Sequence, residues 1–213
     1  MNNPDRPIKA GFSQRYRWRL ILASVILLIA GVAAWQYHDS RYPSWYEEVR
    51  LSDGRIITIH QKHEYYDNYG TNQSWVEIDL PELGGKRVWH SYLKPMRVDV
   101  QQGSVYAFGR PRGPRQVSHY MYPKNHMVAF KWTGAEFSRI PFLQVPEGIR
   151  REENVYSCIP NPRSRKLTSQ IKDKQWYEPS GDEGQFVKKI NLSDYQQLAI
   201  QFAKLDGGLP ISD

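Results

Sequence analysis

Between Leu20 and Ala34 fifteen consecutive residues carry no charge, and Trp18 and Trp35 frame them. Counted with the two tryptophans, the stretch would rise roughly 27 Å as a helix, close to a hydrocarbon core of about 30 Å. A Leu/Ile/Val/Ala helix satisfies its own backbone hydrogen bonds while showing lipid only apolar side chains. The sequence therefore predicts one membrane-spanning helix over 18–37, with Trp18, Leu20, Leu27, Leu28 and Trp35 as its anchoring residues. A cleaved signal peptide is the main rival reading, because Val32-Ala33-Ala34 offers small residues for cleavage. The length of the run and the basic tail before it favour an uncleaved anchor.

That tail, residues 1–17, sets the orientation. Arg6, Lys9, Arg15 and Arg17, with Arg19 just after them, face a single acid, Asp5, whereas residues 35–54 hold only Arg41 and Arg50 as bases. The positive-inside bias then keeps the N-terminus cytoplasmic at an inner (plasma) membrane and places the rest in the periplasm or outside the cell. The same arithmetic disposes of a nucleic-acid reading. Of a formal charge of +7, the first nineteen residues supply +4, so most of the excess is a topology signal. Within the exported part the charge is uneven: residues 105–175 sum to +8 between acidic flanks. Such a segment can face an acidic partner or pair with those flanks.

After a juxtamembrane linker at 38–47, the pattern changes to period two with frequent turn signals. Val49-Arg50-Leu51 and residues 55–60 read as a hairpin around Asp53-Gly54. Residues 65–74 read as a loop, 75–80 as a strand with Val76, Ile78 and Leu80 inward, and 87–90 as a short strand. Two further hairpins follow, at 97–101 with 104–108 and at 127–132 with 136–140. The expected fold is mainly β, an antiparallel sandwich, barrel or partial propeller spanning 48–213. An irregular segment occupies 141–190, and an amphipathic helix ends the domain at 193–206. Ser193 is its expected N-cap, and Tyr195, Leu198, Ala199, Phe202 and Ala203 form its apolar stripe.

Chemistry is harder to find. Cys158 is the lone cysteine, so no intramolecular disulfide is available, and the thiol is either buried or bonded to another chain. His60 and His63 are three apart in a β-branched segment and would point to opposite faces of a strand, which argues against a shared metal. No Gly-x-Ser-x-Gly, His-Glu-x-x-His or phosphate-cradling loop occurs, so no metal or cofactor is expected and an enzyme is the less favoured class. Gly109-Arg-Pro-Arg-Gly-Pro-Arg115 instead sets Arg110, Arg112 and Arg115 in an exposed turn. With Tyr120 and Tyr122, which share a face if the segment is extended, these form the candidate surface for an anionic or protein partner. Asn72 and Asn191 head glycosylation triplets.

The functional expectation is a single-pass envelope protein whose exported β-rich domain binds a partner. Two alternatives stand beside it: an enzyme acting on an envelope polymer through Glu64, Asp67 and His63, and an immunity or inhibitor-type binder of a secreted enzyme.

Overall fold

The computed structural model describes residues 11–65, 70–156, 165–172 and 190–205. Cys158, Asp67 and most of 157–189 lie outside them. The chain divides into two compact units, Met1–Ser40 and Arg41–Asp213.

The first unit is built on α1, Gly11–Arg41. Its 26 residues Tyr16–Arg41 are long and apolar enough to cross a membrane: they contain an 18-residue window with a mean hydropathy of 2.1, none of it buried in protein. Trp18, Leu20, Leu27, Leu28 and Trp35 are 52–73% exposed, so the apolar surface is uncovered by protein all round. The only hydroxyl in the run, Ser24, donates to the Leu20 carbonyl at 2.9 Å, which leaves no unsatisfied polar group there. The helix continues past 37 to Arg41.

The second unit opens with β1, Ser44–Arg50, which starts inside the segment read as linker. It is followed by β2 (Ile56–Tyr65), β3 (Thr71–Leu80), β4 (Gly85–Ser91), β5 (Lys94–Gln101) and β6 (Ser104–Arg110). After the short α2 (Pro114–His119) come β7 (Val128–Trp132), β8 (Phe137–Ile140), α3 (Glu147–Arg150), β9 (Lys166–Leu167) and α4 (Leu192–Leu205). The strands form a five-stranded sheet, order β4-β3-β2-β1-β9, and a four-stranded sheet, order β5-β6-β7-β8. Among the described residues neither sheet closes into a barrel, and β9 runs parallel to β1, so the fold is mixed where the sequence predicted all-antiparallel pairing.

One core lies between the sheets. Val49, Ile59, Val76, Ile78, Leu80 and Trp89 from the first pack with Val98, Val100, Val105 and Ala107 from the second. The other face of the four-stranded sheet is covered too: Met96, Phe108 and Ala129 pack with Phe142, Val145, Ile149 and Tyr195. Burial on both faces explains why β5 is buried at every position from Pro95 to Val100. β4 alternates buried and exposed residues, because the outer face of its sheet is open to solvent.

Polar side chains join the layers. Asp99, wholly buried, accepts from Arg97 Nη2 (2.6 Å) and Nε (2.9 Å), and from the Ser52 N–H and hydroxyl in the β1–β2 turn. Asn154 lies along the edge of β5, accepting from the Val98 N–H at 3.0 Å and donating to the carbonyls of Val98 and Arg50 at 2.7 and 2.9 Å. Its amide thus satisfies an otherwise open strand edge, as a neighbouring strand would.

Candidate functional site

The turn after β6 holds the three arginines, and the structure separates them. Arg110, the last residue of β6, lies over the Tyr195 ring of α4, with its Cζ 5.8 Å from the ring centroid. Arg112 and Arg115 are exposed. The backbone N–H of Arg112 donates to Gln116 Oε1 at 2.6 Å, and Gln116 Nε2 in turn donates to the carbonyls of Thr71 and Asn72 at 2.8 and 2.7 Å. This amide pins the start of α2 to β3. The Arg112 guanidinium rests over Gly70, where φ is +86° and an added Cβ would come within 2.8 Å of Nη1. Glycine is needed there both for the backbone conformation and for the guanidinium's seat.

Tyr120 and Tyr122 do not share an extended face. Met121 and Tyr122 have φ of +57° and +52°. Their N–H groups donate to the carbonyls of Ser118 and Val117 at 2.9 Å, the Schellman pattern that ends α2 with Met121 in the position glycine usually takes. Tyr120 is turned into the core between the sheets, where its hydroxyl oxygen accepts from the Tyr92 N–H at 2.9 Å. Burial pushes its phenol up to about 12. It is a packing residue; Tyr122 is half-buried. Of the five residues singled out in the sequence, Arg112 and Arg115 are the two that are exposed, Arg112 with its guanidinium against Gly70.

Beneath α4 the structure gathers groups that sequence spacing does not connect. The Glu153 carboxyl bonds to the Tyr195 side chain; burial pushes it up to about 7, against the pull of Lys94 and Arg110. Burial, then Glu153, raises Tyr195. His126, with φ of +52°, stacks on Phe202 with ring centroids 5.1 Å apart, and burial followed by Arg110 lowers it to about 4. Its Nδ1 has no hydrogen-bond partner among the described residues. The Glu153 carboxyl is the group here that changes charge near neutrality, with the Tyr195 phenol bonded to it and the Arg110 guanidinium a fixed positive charge beside them. No signal in the sequence joins Glu153, in a segment read as irregular, to Tyr195.

The residues considered for acid–base work on β2 are engaged internally. His60 and His63 do point to opposite faces: His60 stacks outward on Tyr46 at 4.7 Å, and His63 is fully buried. Gln61 Nε2 donates to Glu47 Oε2 and to the Tyr156 carbonyl (3.0 Å), which leaves Gln61 Oε1 to accept from His63 Nε2 at 2.8 Å. His63 Nδ1 then accepts from the Thr71 hydroxyl at 3.2 Å, so the ring is the neutral Nε2–H tautomer. Burial, followed by Lys94, holds it down to about 3. At the other end of this chain Lys172 Nζ donates to Glu47 Oε1 (2.5 Å) and to the carbonyls of Asn154 and Glu48. Burial pushes Glu47 up against the pull of Lys172. The Glu64 carboxylate accepts from Gln73, Asn72, Arg41 and Tyr42, and these bonds, Gln73 first, hold its pKa below the usual range. Neither Glu64 nor His63 is poised to exchange a proton with a substrate.

No protein-family model matches the chain, and comparisons with curated proteins and with solved structures found no match.

Proposed function

We propose that α1 holds this chain in a membrane with its N-terminus cytoplasmic, and that the sheet-rich unit works on the extracytoplasmic side by binding. The partner is a protein or an anionic envelope component, met through the exposed guanidiniums of Arg112 and Arg115. The observation that carries the reading is α1 itself: a charge-free run with its apolar side chains uncovered, tryptophans at both ends and the basic residues crowded on one side. Arg112 and Arg115 supply the recognition chemistry, since planar guanidiniums match carboxylate and phosphate oxygens.

Two measurements test this together. A reporter fused behind Asp213 is active outside the cytoplasm and inactive within it, and carbonate washing leaves the full-length chain in the membrane. Crosslinking in intact cells then recovers a partner that Arg112→Ala with Arg115→Ala reduces at least threefold. Release by carbonate removes the anchor from the reading, and undiminished crosslinking by the double variant removes the arginines.

A further inference from the structure

Four cross-strand neighbours on the outer face of the five-stranded sheet form one row: Ser44 on β1 opposite Lys62 on β2, Lys62 opposite Trp75 on β3, and Trp75 opposite His90 on β4. The row is packed upon itself. His90 stacks parallel to Trp75, centroids 4.9 Å apart, and Lys62 Nζ lies 5.5 Å from the Trp75 ring and 5.3 Å from that of Tyr42. Tyr92, exposed at the end of β4, continues the row beside His90 and meets His119 at 4.7 Å. Lys62 is a cation held between two rings, with no ion pair among the described residues, whereas Lys86 on the same face is paired with Glu77 at 2.8 Å.

Tyrosine, tryptophan and lysine are the side chains that favour the headgroup layer of a bilayer, where a ring meets the acyl boundary and an ammonium meets phosphate. The covalent path puts that layer within reach. From Trp35, at the end of the apolar run, to Arg41 is about 9 Å of helix, and the three steps from Arg41 to Ser44 add at most about 11 Å, a tether short enough to keep Ser44 near the bilayer. A headgroup layer is itself about 5–8 Å deep.

We infer that Tyr42, Lys62, Trp75, His90 and Tyr92 form a headgroup-binding belt, with Lys62 seated on the phosphate of an anionic phospholipid. This rests on the membrane reading of α1. The belt keeps the unit against the bilayer and leaves Arg112 and Arg115 to the partner.

The test uses the full-length chain in vesicles of phosphatidylcholine, with or without phosphatidylglycerol, carrying a lipid whose headgroup is photoactivatable. Crosslinked peptides are mapped by mass spectrometry. Adducts on residues 60–62, 73–75 and 88–92 are expected at least threefold above those on the β7–β8 hairpin, rising with phosphatidylglycerol. Lys62→Glu, an exterior change checked by circular dichroism, cuts them at least threefold, and Lys62→Gln gives an intermediate yield. Adducts confined to α1, or spread evenly over the sheets, overturn the belt while leaving the anchor standing. Absence of adducts on α1 as well shows instead that the anchor reading has failed. Capture of these residues by a protein in native membranes, in place of lipid, also overturns the proposal.

Discussion

His63 shows how much one buried side chain can dictate. Its neutral tautomer is imposed from both sides, by Thr71 donating to Nδ1 and by Gln61 accepting from Nε2. Burial, with Lys94 near it, holds its pKa at about 3, and burial, with Arg110 near it, holds that of His126 at about 4, against an ordinary value of 6.5. For a base whose folded pKa is depressed, the unfolded chain takes up the proton first as pH falls. The stability is complete above pH 6.5 and is lost progressively below it. Each histidine removes about 2 kcal/mol between pH 6.5 and 5. Glu153 and Glu47, raised by burial, act in the opposite direction, so the histidine is read by comparing variants: in urea unfolding of the chain in detergent, His63→Gln is expected to lose less of its midpoint than the parent between pH 7.5 and pH 5. An identical loss in the two would refute the neutral His63. Strand parity alone placed His60 and His63 on opposite faces. The chain of acceptors was illegible, because Glu47, Tyr156 and Lys172 reach the site from distant parts of the sequence.

At the scale of elements, α4 was the most legible feature of the second unit. Tyr195, Ala199 and Ala203 are buried and Leu198 and Phe202 half-buried, as the stripe required. Its cap was misplaced by two residues. Asn191 Oδ1 accepts from the Ser193 N–H at 3.2 Å and from its hydroxyl at 2.7 Å, so asparagine caps the helix and Ser193 lies inside the first turn. Asn191→Ala is expected to cost about 1 kcal/mol, read as a lower unfolding midpoint, with Ser193→Ala costing less. The reverse order would restore Ser193 as the cap. The segment at 120–122 was misread for a different reason. Alternating tyrosines suit a strand, but the Schellman bonds closing α2 place Met121 and Tyr122 in the left-handed region, a conformation a residue pattern without glycine does not announce.

For the molecule as a whole, the apolar helix, the strand-rich unit and the closing helix were all visible in hydrophobic periodicity. The partition into two sheets was not, since it depends on which strand edges meet, and the ties that Asn154 and Asp99 make join residues distant in sequence. Asn154→Ala leaves the Val98 N–H and carbonyl without their partners and removes the tie to Arg50. It is expected to lower stability by about 2–4 kcal/mol. Circular dichroism and tryptophan fluorescence should still report one transition, because both sheets share a core. Separate transitions for the two probes would show that the sheets unfold independently.

The parallel pairing of β1 with β9 sets Tyr46 beside Lys166 and Glu47 beside Leu167. A ribosome releases β1 about 120 residues before the strand that completes its sheet, and closing a loop of that length costs about 4 kcal/mol of chain entropy. The first strand to emerge must therefore wait, half-finished, for one of the last. Synthesis that halts before Leu167 yields a nascent polypeptide with the Glu47 carboxylate stripped of its lysine and the β1 edge unpaired, so the sheet is most exposed to misassembly during that interval.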